Sequence, residues 1–280
     1  MQTCDPADID SVCVTIAGVD ASIRAPRSVL SILDRTLAHA RRTPARASIR
    51  AAIEVEGDEL AWRISGNSQR SIKVLSATSA LPRVGGAVVS SVIADVAEAA
   101  RLSVCRAAVV ERDGRAIAFV GDDWESGVVL AAHLHARGWR LLGGDYALID
   151  RATLTVLGSR KLLHVTLSVL DELPVTYRRA VEASPWYSTP HDIAFYAVDP
   201  ALARSTSPWA EAGRLCAVLA LNGDVSEFPS IERTNFFALG DGMDSDALER
   251  AGVAVAEVRL GDYVSTCDLV QRWFQALVTG

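Results

Sequence analysis

The sequence lacks most of the features that would settle a function at once. It has no excess of positive charge: 28 Lys and Arg against 34 Asp and Glu leave a net charge of −6. That excludes a broad basic surface of the kind that displaces counterions from nucleic acid. It has no Cys-x-x-Cys pair. The five cysteines, Cys4, Cys13, Cys105, Cys216 and Cys267, are scattered and odd in number, which disfavours zinc or a redox couple and leaves reduced thiols as the expectation. No apolar run approaches the roughly 20 residues of a bilayer span, so no membrane contact is expected. The opening MQTCDPADIDSVC has no basic stretch before an apolar one, and a cytoplasmic location follows as the expectation. There is no G-x-S-x-G elbow, no internal repeat and no low-complexity tract.

What is present is enough apolar material for a sizeable core. The chain has 280 residues, of which 50% are apolar and 22% charged, which fits one large α/β domain or two smaller ones. SVCVTIAG and ASIRA alternate as paired strands, and SVLSILDRTLAHARR sets Val29, Leu30, Leu33 and Leu37 on one helical face. ASIRAAIEVEG, ELAWRISG and RSIKVLS repeat the strand alternation, and VGGAVVSSVIADVAEAARL reads as a small-residue helix. Residues 1–100 are therefore expected to form an α+β layer, and residues 101–280 an α/β core continuous with it. In the second part, CRAAVVERDGRAIAFVG is two strands joined by Asp113-Gly114, a strong hairpin signal. A helix from about Val128 to Arg137 ends at Gly138. WRLLGGDYALID, ATLTVLG, DIAFYAV and VAVAEVRL read as strands, while PWAEAGRLCAVLALNG and YVSTCDLVQRWFQALV read as helices. Asp244 to Asp246 are expected to cap a helix rather than bind calcium.

The run DGRAIAFVGDDWESGVVLAAHLHARGWRLLGGDYALID follows without a gap the pattern of a hairpin, a phosphate loop, a helix and an acidic strand end. In this it resembles the kinases related to HPr kinase/phosphorylase, including those found beside lasso-peptide biosynthetic systems. The resemblance is closest over residues 105–150 and implies a P-loop-type core, a mixed sheet flanked by helices. It also implies what has changed. Where the family pattern has G-x-x-x-x-G-K-[ST], with backbone N–H groups, a lysine and a magnesium-binding hydroxyl on the phosphates, this chain keeps Gly121. It then has Asp122, Asp123, Trp124 and Glu125, with Ser126 at the second glycine, Gly127 at the lysine, Val128 at the hydroxyl and Val129 after it. Arg106 stands at an upstream family histidine, and Gly143-Gly144-Asp145 leaves one carboxylate where the family has two.

Asp145 alone is thus the candidate catalytic residue, as a base or ligand, with turn capping as its ordinary alternative. His133 and His135 are two apart on a helix and point about 200° from each other, so they cannot clasp one metal; His164 and His191 are isolated. No metal and no cofactor are expected. The reading is a catalytically degenerate kinase-like protein that binds a peptide or protein partner, with Trp124 and Trp186-Tyr187 as aromatic contact candidates. A homo-oligomer is possible, and a natural-product pathway is the setting the resemblance implies. The alternative is an enzyme on the same scaffold, using ATP and magnesium unconventionally or repurposed to modify a peptide.

Overall fold

The computed structural model describes residues 9–37, 49–56, 59–65, 70–74, 92–121, 124–184, 186–188, 194–204, 206–222, 230–233 and 245–279. The period-two alternation at the start builds a hairpin. Strands β1 (Ile9–Ile16) and β2 (Val19–Pro26) pair antiparallel with Ile16 opposite Val19. Ala17 and Gly18, at φ 50° and 78°, make the left-handed pair that a two-residue turn needs. Val12, Val14, Ile16, Ala21 and Ile23 bury one face, and helix α1 (Arg27–Thr36) lays Leu30 and Leu33 on it, with Leu37 just beyond; the Val29 side chain lies outside the described residues. Strands β3 (Ile49–Glu56), β4 (Glu59–Ser65) and β5 (Arg70–Val74) extend this sheet in chain order, β3 parallel to β2 and the rest antiparallel. Helix α2, described over 92–100, adds Val92, Ile93, Val96 and Ala97 to the same cluster, and so does Leu148 from the next sheet.

That next sheet is mixed and nine-stranded. It contains β6 (Ser103–Cys105), β7 (Ala108–Arg112), β8 (Arg115–Val120), β9 (Arg140–Gly143), β10 (Ala147–Asp150) and β11 (Thr155–Leu157). A separate three-stranded sheet runs in the order β12 (Leu163–Thr166), β14 (Ala194–Val198), β13 (Trp186–Ser188). The large sheet is completed by β15 (Ala212–Asn222), β16 (Ser230–Arg233) and β17 (Ala254–Arg259). The β7–β8 turn is Asp113-Gly114 at φ 54° and 78°, as the dipeptide requires, and the buried Glu111 accepts from the Gly114 N–H at 2.5 Å and from Arg140 at 2.7 Å. Helices α3 (Trp124–Ala136) and α7 (Tyr263–Thr279) cover one face of the sheet, and α6 (Ser245–Arg250) covers the other through Leu248. Helices α4 (Val175–Glu182) and α5 (Pro200–Ala203) lie by the small sheet.

The helix expected over PWAEAGRLCAVLALNG is instead β15, the sheet's central strand. It is parallel to β8 on one side and to β17 on the other. A strand with both faces covered reads as a continuous apolar run, which periodicity alone does not separate from a buried helix. Here Leu215, Ala217, Val218 and Leu219 are buried in clusters on opposite faces. Gly213 marks the close packing: a Cβ there would lie 2.9 Å from the Glu111 Cγ. Among the cap residues expected before α6, Asp244 lies outside the described residues and Asp246 falls in the helix's first turn. Among the described residues no helix is long and apolar enough to cross a membrane.

Candidate functional site

Strands β8, β9, β15 and β17 all point the same way, so their carboxyl ends, from Val120 to Arg259, share one edge of the sheet. In open α/β sheets this is the edge at which ligands bind. Gly121 leaves β8 there at φ 155°, with the Leu221 carbonyl so close that a Cβ would sit 2.8 Å from it. The chain needs glycine at this point to pass β15.

Only Asp122 and Asp123, outside the described residues, separate Gly121 from the first turn of α3. Trp124, Glu125, Ser126 and Gly127 are helical. Of the residues that the resemblance assigns to a phosphate loop, Trp124 to Val128 therefore belong to a helix that starts four residues before Val128, the expected start. Their side chains are spoken for. Glu125 accepts from the Ser168 hydroxyl at 2.8 Å, and Ser126 lies 3.0 Å from the Tyr263 hydroxyl. A Cβ on Gly127 would face Ala108 and Phe119 at 3.5 and 3.6 Å, and Val128 and Val129 are fully buried in the core cluster. The lysine and hydroxyl positions thus point into apolar packing. Trp124, half-buried, carries the Arg106 guanidinium 5.5 Å above its ring, a cation–π contact at the open edge.

The carboxyl end of β9 turns through Gly143, Gly144 and Asp145. Neither glycine has room for a side chain: a Cβ on Gly143 would run into the Tyr146 carbonyl, and one on Gly144 would sit 2.6 Å from Leu163 Cδ2. Leu163 fills the space beside Gly144, the position at which the resembled pattern has a second acid. Asp145 does not act as a bare turn cap. Its carboxylate pairs with Lys161, which is 2% exposed, and lies 3.5 Å from His164 Nδ1. Lys161 Nζ is also 3.2 Å from that nitrogen. The backbone fixes the group beside Arg106, because the Ala107 N–H donates to the Asp145 carbonyl at 3.2 Å.

Burial alone would raise the Asp145 carboxyl, but the Lys161 and His164 charges and the Lys161 hydrogen bond outweigh it and hold the acid below its ordinary value. Burial lowers Lys161 against the opposing pull of Asp145. Burial, then the Lys161 charge, push His164 down to about 3. At neutral pH the His164 imidazole is neutral, and its Nδ1 accepts from Lys161, which also pairs with the Asp145 carboxylate. The proton of that imidazole then sits on Nε2, which is buried and has no hydrogen-bond partner among the described residues. Two residues further along β12 on the same face, Thr166 meets Ser168 at 2.6 Å, and Ser168 leads to Glu125. A polar line thus runs along β12 from Lys161 to the start of α3.

The sequence reading named Asp145 but not Lys161, and it left His164 isolated. The available signal was a lysine and a histidine at Lys-x-x-His in the otherwise apolar KLLHV. His135 is buried against the Tyr177 hydroxyl at 2.7 Å, and His133 meets the Glu172 carbonyl at 2.8 Å; they do not share a ligand. His191 lies outside the described residues. Trp186 is 64% exposed on β13, away from Trp124 in sequence and sheet. Among the described residues no group of three or more His, Cys, Asp or Glu side chains is placed to hold a metal.

No family model matches the chain, and no curated protein matches it. Among solved structures it is similar to the HPr(Ser) kinase/phosphatase from Coxiella burnetii, at 10% identity and a TM-score of 0.33, over 64% of this chain and 99% of that one. A likeness at that level leaves the functional reading to the chain's own geometry.

Proposed function

We propose that this chain is a catalytically degenerate HPr-kinase-like protein whose remodelled sheet edge binds a peptide or protein partner, in a natural-product pathway of the ribosomal-peptide type. The observation that carries the reading is the early start of α3. Phosphoryl transfer needs backbone N–H groups, a cation and magnesium at the phosphates. Here Gly127 and Val128 turn toward Phe119 and the core, and Asp145 is committed to Lys161. The Arg106–Trp124 pair offers instead a guanidinium and an aromatic face, the residue types that dominate protein contacts. No cofactor is required by this reading. Calorimetry with MgATP tests it first: no binding is expected, and micromolar affinity would overturn it. A panel of ribosomally made precursor peptides is the second titrant, and Arg106→Ala/Trp124→Ala is expected to abolish the binding of any that associates with the parent chain.

One observation favours the enzyme alternative. His164 presents a buried Nε2, unpartnered among the described residues, beside a lysine and a carboxylate, an arrangement that can hold or move a proton. Under that reading ATP and magnesium, or a peptide alone, are the substrates, and His164→Gln removes turnover.

A further inference from the structure

We infer that the opposite end of the sheet carries an anion site, in which Arg115 and Arg214 bind a phosphoryl group, as free phosphate or as a small phosphate monoester. Arg115 opens β8, and Arg214 lies directly beside it on the parallel strand β15, so both side chains leave the same face of the sheet. Both line a cavity of ≈ 250 Å³, with Leu215, Cys216, Gly252, Leu277 and Val278. Like charges in register on neighbouring strands repel, yet among the described residues neither guanidinium has a carboxylate partner. Among the described residues Arg115 donates only to the Val278 carbonyl, at a long 3.4 Å, at the carbonyl end of α7.

The third member of the row separates the two that face the cavity from one that is already engaged. Arg112 lies opposite Arg115 on β7, but it leans on the Trp139 ring at 5.8 Å and meets Asp113 at 3.9 Å. Cys216 adds no competing charge, since burial pushes its thiol up to about 11 and its Sγ donates to the Ala116 carbonyl at 3.2 Å. Among the described residues that line the cavity, the formal charge is therefore that of two guanidiniums. Arginine forks match the oxygens of a phosphoryl group in pairs, and two of them match a dianion. Gly252 leaves the rim open, with nothing within 4 Å of where a Cβ would be. Leu277 and Val278 supply an apolar wall on which a small ester body can rest. The site is remote from Gly121 and Asp145, which lie at the other ends of β8 and β9, so it stands or falls apart from the function proposed above.

Titration of the full chain with inorganic phosphate and with glycerol 2-phosphate, followed by 31P NMR against chloride at equal ionic strength, tests the assignment. Saturable binding of either is expected, and tighter binding of the ester identifies the monoester as the source. Arg214→Gln, at an exposed position, is expected to weaken it at least about tenfold, and Arg178→Gln on α4 to leave it unchanged. Arg115→Gln also removes the contact to Val278, so Arg214→Gln is the deciding variant. Absence of saturable binding, or equal affinity in Arg214→Gln and the parent, would overturn the inference.

Discussion

Replacing Lys161 by methionine isolates the ion pair at the end of β9. The side chain is 2% exposed and the Asp145 side chain 14%, so neither charge is relieved by water when the other is removed. Methionine matches the length of the lysine stem, which limits any cavity and leaves the electrostatic change as the main effect. A buried charge stripped of its partner costs about 3–5 kcal/mol, and the unsatisfied hydrogen bond at His164 Nδ1 falls within that range. Urea unfolding of Lys161→Met at pH 7 should show a loss of this size. Asp145→Asn should cost a comparable amount, because it leaves the ammonium buried. The double variant should cost clearly less than the sum of the two, since neutral side chains of similar size face each other there. The sign of the pH effect follows from the geometry: without Lys161 the Asp145 carboxyl rises, so the variant recovers stability relative to the parent as the pH falls and the acid is protonated. Losses under about 1 kcal/mol, or additive losses, would refute the pairing and return Asp145 to the role of a free carboxylate.

Two further outcomes follow from the same packing. His164 and His135 have folded-state values of about 3 and about 4, both below the ordinary 6.5, so the unfolded chain binds more protons at each between those limits. Stability is therefore complete above pH 6.5 and falls by roughly 1.4 kcal/mol per pH unit for each histidine as the pH drops toward 4; denaturant melts of His164→Gln across this range should be shallower by about one proton, and an unchanged slope would refute the burial argument. Gly144→Asp should destabilise by about 1–3 kcal/mol through overpacking against Leu163, and Leu163→Ala in the same chain should lower the penalty of adding the acid; thermal unfolding of the four chains measures the coupling, and equal penalties in both backgrounds would refute it.

Local chemistry was legible wherever a residue type dictates its own conformation. Asp113-Gly114 reads as a two-residue turn because both residues tolerate positive φ, and the amphipathic spacing of Leu30, Leu33 and Leu37 needs only a helix to bring them together. β15 was illegible for a physical reason: Leu215 to Leu221 are apolar on every side because they are covered on every side, and that cover comes from β8, β17 and helices distant in sequence. The site shows the same division. Asp145 was marked by the resemblance, whereas Lys161 and His164, polar residues in an apolar run, meet it only through tertiary contact, a pairing that local spacing does not announce.

The departures from the kinase-like pattern are connected by packing, which a position-by-position reading treats as separate losses. Gly127, at the lysine position of the pattern the sequence resembles, lets α3 approach Ala108 and Phe119; Val128, at its hydroxyl position, fills the core beside this approach. Gly144, where the resembled pattern has an acid, admits Leu163 beside it, and Lys161 and His164 follow on the same segment to enclose Asp145. Each replacement is therefore held by its neighbours, and the interaction energies of contacting residues are not additive. Gly127→Lys with Val128→Ser would place the charge and the hydroxyl of the resembled pattern at positions that face the core, at a cost of burying both without partners. Under the proposed reading, phosphoryl transfer on this scaffold would require α3 to begin later, Leu163 to withdraw and Lys161 to release Asp145 together, three changes coupled through one packed edge.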